Sequence, residues 1–196
     1  MVIIGNNEEA IKDLKRFLST CFKIKDLGPF KCFLGVEVAR SEAGIAINQQ
    51  KYALDIPEEI GLLGAKPVKF PMEQNVKLTP SDGELLKDPA QCRRLVGKLI
   101  YLIITRPDIM YSVSTLRRPH LDVAHRLLRY LKGAPRQGRF FPSHRQLNLV
   151  GYCDADWAGC PIKRRSVTGY YIFLGQTLVS WKSKKQSTIS RSSTEA

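Results

Sequence analysis

The chain has 196 residues, of which 43% are hydrophobic and 25% are charged, which suits one medium domain or two small ones and argues against wholesale disorder. Lys and Arg exceed Asp and Glu by 13, and the excess is uneven, because residues 117–196 carry a net +11 and residues 1–116 only +2. A basic half of this kind is typical of proteins that face a polyanion, and a solvated basic surface is the alternative.

The five cysteines show no CxxC spacing and lie near no histidine cluster, so we expect reduced thiols in an intracellular protein and no zinc site. The three histidines also lack ligand spacing. No stretch resembles a signal peptide, and no apolar run approaches the roughly 18 residues that a membrane span requires.

The first third of the chain predicts a strand, a helix and a hairpin. Residues 2–4 form a short β-branched run, and residues 8–22 place apolar side chains three and four apart after Asn7, a suitable N-cap. Residues 33–48 alternate around a glycine-containing turn, which is typical of a β-hairpin. Residues 49–63 predict a helix that is interrupted at its proline.

The middle of the chain predicts a linker followed by helices. Four prolines between residues 65 and 89 indicate an extended linker. Helical periods then follow over residues 90–106, 108–116 and 121–131, the last ending at a basic turn and Gly133.

The last third predicts an antiparallel meander. Residues 147–152, 169–174 and 177–181 are short β-rich runs separated by Gly, Pro and polar turns. Residues 188–196 begin like a capped helix.

Four ordered stretches carry a resemblance to a known family. They are Phe33-Leu-Gly-Val-Glu-Val38, Leu95-Val-Gly-Lys-Leu-Ile-Tyr-Leu102 with Thr105-Arg-Pro-Asp108, Leu127-Leu-Arg-Tyr-Leu-Lys-Gly133, and Gly151-Tyr-Cys-Asp-Ala-Asp-Trp-Ala-Gly159 through Arg164-Arg-Ser-Val-Thr-Gly169 to Ser180-Trp-Lys-Ser-Lys-Lys-Gln186. In these stretches the sequence resembles the Pol polyproteins of Ty1/copia-type retrotransposons, and the resemblance extends over essentially the whole chain.

The resemblance implies an α+β fold, with part of the palm and thumb of a reverse transcriptase followed by an incomplete RNase H-like antiparallel sheet. Residues 1–64 would be the end of the palm with its hairpin and helix, and residues 65–89 a proline-rich linker. Residues 90–140 would form thumb-like or connection-like helices, and residues 145–196 a truncated RNase H-like domain. Between Leu116 and Arg117 the family carries several more residues, so the packing of the two flanking helices is open.

The resemblance also implies where carboxylates should lie. In the family, an aspartate pair of the polymerase site directly precedes the segment that resembles residues 1–7, so we expect no polymerase activity here. Asp154 stands where the family has the first RNase H metal ligand, and Asp156 would point to the same side of the strand. Two aspartates that cap a turn are the alternative. The next family ligand is a helical Glu, and Glu195 lies two residues before the position where the resemblance places it.

We therefore expect Asp154 to be a vestigial catalytic and metal-binding residue of an incomplete site. No cofactor is expected in this chain, whereas intact members of the family use Mg²⁺. For nucleic-acid binding, the candidates are the members of two basic runs near aromatic side chains: Lys163, Arg164, Arg165, Lys182, Lys184 and Lys185. A solvated charged surface over core aromatics is the alternative.

These observations favour a catalytically inactive Pol remnant that binds an RNA–DNA hybrid or another duplex without sequence preference. A domesticated basic nucleic-acid-binding module is the alternative, and an active RNase H fragment is a third. Nothing in the sequence indicates a membrane partner or an oligomeric state.

Overall fold

The structure, a computed structural model, describes residues 2–73, 89–116, 121–144, 146–159 and 164–195. Within these ranges, α-helices combine with two antiparallel sheets, which confirms the expected α+β class. Most of the predicted linker, the residue Arg117 at the proposed deletion, and Lys163 lie outside the described residues. No described helix is long and apolar enough to cross a membrane.

Helix α1 (Glu8–Cys21) confirms the first predicted helix. The Asn7 side chain accepts a hydrogen bond of 3.1 Å from the Ala10 amide, which satisfies one of the free N–H groups at the helix start. The strand predicted over residues 2–4 is wrong, because no described strand lies beside it to pair with its backbone.

The first sheet confirms the predicted hairpin and adds a distant strand. Its strands lie in the order β1 (Cys32–Phe33), β2 (Val36–Ser41), β3 (Gly44–Asn48) and β4 (Arg139–Pro142). Strand β4 begins at the end of the stretch expected to be helical, residues 90–140, and extends two residues beyond it. It pairs along the free side of β3, with Gly44 opposite Pro142 and Ile47 opposite Arg139. Long-range pairing therefore determines the conformation of these four residues.

The core is made by four helices: α2 (Gln50–Glu59), α3 (Pro89–Leu102), α4 (Met110–Thr115) and α5 (Leu121–Gly133). A short 3-10 turn, Pro107–Ile109, leads into α4. Buried side chains from all four helices form one cluster, which includes Ile56, Leu99, Val113 and Leu127. Residues before and after the predicted linker thus share a core, while their assignment to separate domains stays a prediction.

The second sheet confirms the predicted meander, with strands β5 (Leu149–Asp156), β6 (Val167–Leu174) and β7 (Thr177–Lys185) in that order. The helix predicted over residues 188–196 is wrong, since within the described residues 188–195 only the 3-10 turn Ser193–Glu195 forms. The Ser190 carbonyl instead accepts a hydrogen bond from the Trp157 indole, and the Ser190 hydroxyl bonds the side chain of Gln186. These bonds, one of them to a residue 33 positions earlier, oppose the helical pattern.

Candidate functional site

The pleat of the second sheet sorts its charged side chains onto two faces. Asp154 lies opposite Gly169, which lies opposite Ser183, so these three residues share one face. Cys153 and Lys182 flank Tyr170 in the same way on the other face. We call the first the carboxylate face and the second the lysine face.

A cavity of about 230 Å³ lies between helix α4 and the carboxylate face. Its lining includes Met110, Tyr111, Tyr152, Asp154, Asp156 and Ser183. Helix α4 is held against β7 by a hydrogen bond of 3.1 Å between the Ser114 and Ser183 hydroxyls. The predicted RNase H residue Asp154 therefore lines a cleft whose opposite wall comes from the preceding helical part of the chain.

The carboxylate of Asp156 has two close neighbours. The hydroxyl of Tyr111 donates to its Oδ2 across 3.4 Å, and burial raises the pKa of Tyr111, with the charge of Asp156 adding to the rise. Gly159 lies against the same group, because a Cβ atom there would fall 1.9 Å from Asp156 Oδ2. A side chain at position 159 would thus displace this carboxylate.

Asp154 has a simpler environment. Its Oδ1 accepts a hydrogen bond of 2.9 Å from the Ala155 amide, and the residue is exposed on the outer strand of the sheet. Asp154 and Asp156 are the described acidic residues that line the cleft. Both come from one strand, so they approach any shared ion from the same direction.

This set of donors does not fit the two Mg²⁺ ions that the family implies. Two adjacent divalent ions require several carboxylates from different elements, with open positions for water and phosphate. Among the described residues, no group of three or more His, Cys, Asp or Glu side chains lies close enough to hold a metal. The side chain of Glu195 lies outside what the structure describes.

Five of the six predicted nucleic-acid-binding residues lie within the described part of the chain, and they fall into two groups. Lys185 pairs with Val167, the partner of Asp156, so it projects from the carboxylate face. Arg164 and Arg165 lie three and two residues before the start of β6 at this same end of the sheet, with Arg164 exposed and Arg165 half-buried. The remaining described candidates, Lys182 and Lys184, project from the lysine face.

The motif Thr105-Arg-Pro-Asp108 of the resemblance has a structural role here. The Arg106 guanidinium, 1% exposed, donates from Nε and Nη2 to Asp108 at 2.9 and 2.8 Å and from Nη1 to the Ala134 carbonyl at 2.8 Å. The Tyr130 hydroxyl also donates to Asp108 at 2.9 Å. Burial raises the pKa of Tyr130, and its bond to Asp108 adds to the rise. The motif therefore joins α3, α4 and α5 through a buried ion pair.

Tyr111 and Ser183 are cleft residues that sequence reasoning missed. Tyr111 lies in a predicted helix 45 residues before Asp156, and no spacing in the sequence connects the two. Ser183 interrupts a basic run, and the sequence pattern distinguishes only its charged neighbours. Its position on the carboxylate face follows only from the register of β6 and β7.

Comparison with known proteins identifies the family. A model of reverse transcriptase (RNA-dependent DNA polymerase) matches residues 1–74. An uncharacterized mitochondrial protein of Arabidopsis thaliana is 39% identical over 202 residues, which cover all of this chain and 84% of that protein. The Pol polyproteins from transposon RE1 of the same plant and from transposon TNT 1-94 of Nicotiana tabacum are 40% and 33% identical.

These alignments span all of this chain but only 14% of the RE1 polyprotein and 16% of the TNT 1-94 polyprotein. No solved structure shows significant similarity to the chain. Because the alignments with these three relatives cover the whole chain, they include all four stretches that carry the resemblance. The chain belongs to the Pol polyproteins of Ty1/copia-type retrotransposons.

Proposed function

We propose that this chain is a Pol remnant that binds an RNA–DNA hybrid or another duplex without sequence preference and does not cleave it. Its first sheet and helices correspond to the end of a polymerase palm and to thumb-like helices. The meander β5–β7 corresponds to the opening strands of an RNase H-like domain, with Asp154 as a vestigial metal ligand. The family supports a nucleic-acid substrate, since its members are reverse transcriptases.

The observation that carries binding is the basic group beside the cleft. Arg164, Arg165 and Lys185 lie at the end of the sheet where Asp156 ends β5. Cationic side chains at the rim of a cleft can contact the phosphates on both sides of a duplex groove. Such contacts follow the shape of the backbone and require no base reading.

The absence of cleavage follows from the two carboxylates. Asp154 and Asp156 project from one strand, and Asp156 already accepts the Tyr111 hydroxyl. A pair of ions held only from this side would lack ligands from a second direction to offset their mutual repulsion. Nucleic acid bound across the cleft would therefore remain intact.

The test is the affinity for a fluorescently labelled RNA–DNA hybrid, measured at rising salt concentration. Replacing Arg164 and Arg165 with Ala should reduce the slope of log K against log salt by about 1.8, since each phosphate contact contributes about 0.9. The matched control replaces Lys23 and Lys25, two cations of the nearly neutral half, and should leave the slope unchanged. An affinity of the unaltered chain that does not change with salt would exclude this function.

A further inference from the structure

We propose that the lysine face of the second sheet binds single-stranded RNA, with a base stacked on Tyr170 and phosphates on Lys182 and Lys184. This inference rests on the proposed function, because it assigns a second, single-stranded ligand to a chain that binds nucleic acid. Under this inference, Lys182 and Lys184 bind the single strand, whereas Arg164, Arg165 and Lys185 bind the duplex. The site lies on the side of the sheet opposite to Asp154.

The lysine face is open. Cys153, Lys182 and Lys184 are exposed, and Leu149 at the far end of the same face is 72% exposed. A Cβ atom at Gly151 would meet no other atom within 4 Å, so this face is also open over the outer strand, and Tyr170 on the central strand is half-buried. In contrast, α4 packs on the carboxylate face.

The charge on this face favours an anion. Asp154 and Asp156, the carboxylates of the sheet strands, both project from the opposite face. Lys182 and Lys184 stand two residues apart on one strand, which separates their Cα atoms by about 7 Å. This distance is comparable to that between successive phosphates of an extended single strand. Two cations can therefore contact neighbouring phosphates of one backbone.

Tyr170 selects a single strand over a duplex. It lies on the central strand directly opposite Lys182, so an aromatic ring and a cation stand side by side. An aromatic side chain on a sheet can stack only against a base whose face is free, as in single strands. A duplex could place its phosphates near the lysines, but its bases are stacked on each other and leave none free to stack on Tyr170.

The chain after β7 bounds the site at one end. The Gln186 side chain donates to Thr168 across 2.8 Å, and Ser190 donates to Gln186 across 3.1 Å. Thr168 stands beside Lys184 on the lysine face. A bound strand would therefore run from Lys184 past Tyr170 toward Gly151, and away from this polar corner.

The experiment measures binding of a labelled oligouridylate of about 12 nucleotides, long enough to cross a site of this size. Tyr170→Leu should weaken binding roughly 5- to 150-fold, the equivalent of one lost base stack. The double variant Lys182→Ala with Lys184→Ala should reduce the salt slope by about 1.4, because each contact to a single strand contributes about 0.7. Thermal unfolding of each variant verifies that the fold persists.

The matched control is the double variant Lys23→Ala with Lys25→Ala, which removes the same number of charges from exposed positions outside both proposed binding groups. The inference requires that this control bind the oligouridylate like the unaltered chain. Equal losses in this control and in the Lys182→Ala, Lys184→Ala double variant would overturn it, and so would a dimer that Tyr170→Leu dissociates. If the hybrid binds but the oligouridylate does not, this inference fails while the proposed function stands; if neither binds, both fail.

Discussion

Replacing Asp108 with Ala removes the counterion of a guanidinium that is almost fully buried. Arg106 is 1% exposed and directs two of its nitrogens at Asp108. An uncompensated buried charge costs about 3–5 kcal/mol. Because the Asp108 side chain is 25% exposed, water can enter the space that the carboxylate leaves, so we expect a cost at the lower end of this range, about 3 kcal/mol. The Tyr130 hydroxyl also loses its acceptor, which adds about 1 kcal/mol.

Urea unfolding followed by far-ultraviolet circular dichroism measures this loss. With a slope of about 3 kcal/mol per molar urea, the midpoint should fall by about 1 M or slightly more. Adding Arg106→Met to Asp108→Ala should recover at least about 1 kcal/mol, since the buried charge is then absent. The control Asp13→Ala breaks an exposed ion pair with Arg16 and should leave the midpoint unchanged. A decrease of less than about 1 kcal/mol in the free energy of unfolding for Asp108→Ala would show that Asp108 does not stabilise the fold by neutralising the buried Arg106.

Three other results are expected. Burial raises the pKa of several tyrosines, Tyr130 among them, above the ordinary 10.0. Above about pH 10 the unfolded chain therefore loses protons that the folded chain retains, and the free energy of unfolding falls. In urea titrations at several pH values, the Tyr130→Phe variant should show a smaller fall. Gly44→Ala should cost more than about 2 kcal/mol, because its Cβ would lie 2.2 Å from the Phe141 carbonyl oxygen, and an unchanged unfolding midpoint would contradict the β3–β4 pairing. Its counterpart Gly97→Ala, inside α3 with no atom within 4 Å of the new Cβ, should instead stabilise by about 0.5–1 kcal/mol.

Local patterns predicted the elements whose cause is local. The helix after Asn7, the hairpin β2–β3 and the meander β5–β7 each follow from an apolar period, a cap or a turn residue in their own segment. Strand β4 has no such signal, because Arg139-Phe-Phe-Pro142 becomes a strand only by pairing with residues almost a hundred positions earlier. The final Ser- and Thr-rich segment has a helical start signal, but the Ser190 carbonyl accepts from the Trp157 indole and the Ser190 hydroxyl donates to Gln186 instead.

The candidate site was predictable in its residues but not in its geometry. Asp154 and the basic runs stand out in the sequence, yet their distribution between two faces depends on the register of three strands. Asp154 and Lys182 both have even numbers and nevertheless project from opposite faces, because the β5–β6 register pairs even with odd residues whereas the β6–β7 register pairs even with even. The contact between Tyr111 and Asp156 joins two segments that no motif connects.

The decisive measurement incubates the chain with a labelled RNA–DNA hybrid and Mg²⁺ or Mn²⁺ at low salt, and follows binding and cleavage of the same hybrid. Because Asp154 and Asp156 approach from one strand, we expect the hybrid to be bound and to remain full length over the whole incubation. Cleavage that disappears in the Asp154→Asn variant would show that the cleft assembles a working metal site, and would contradict a remnant that binds without turnover.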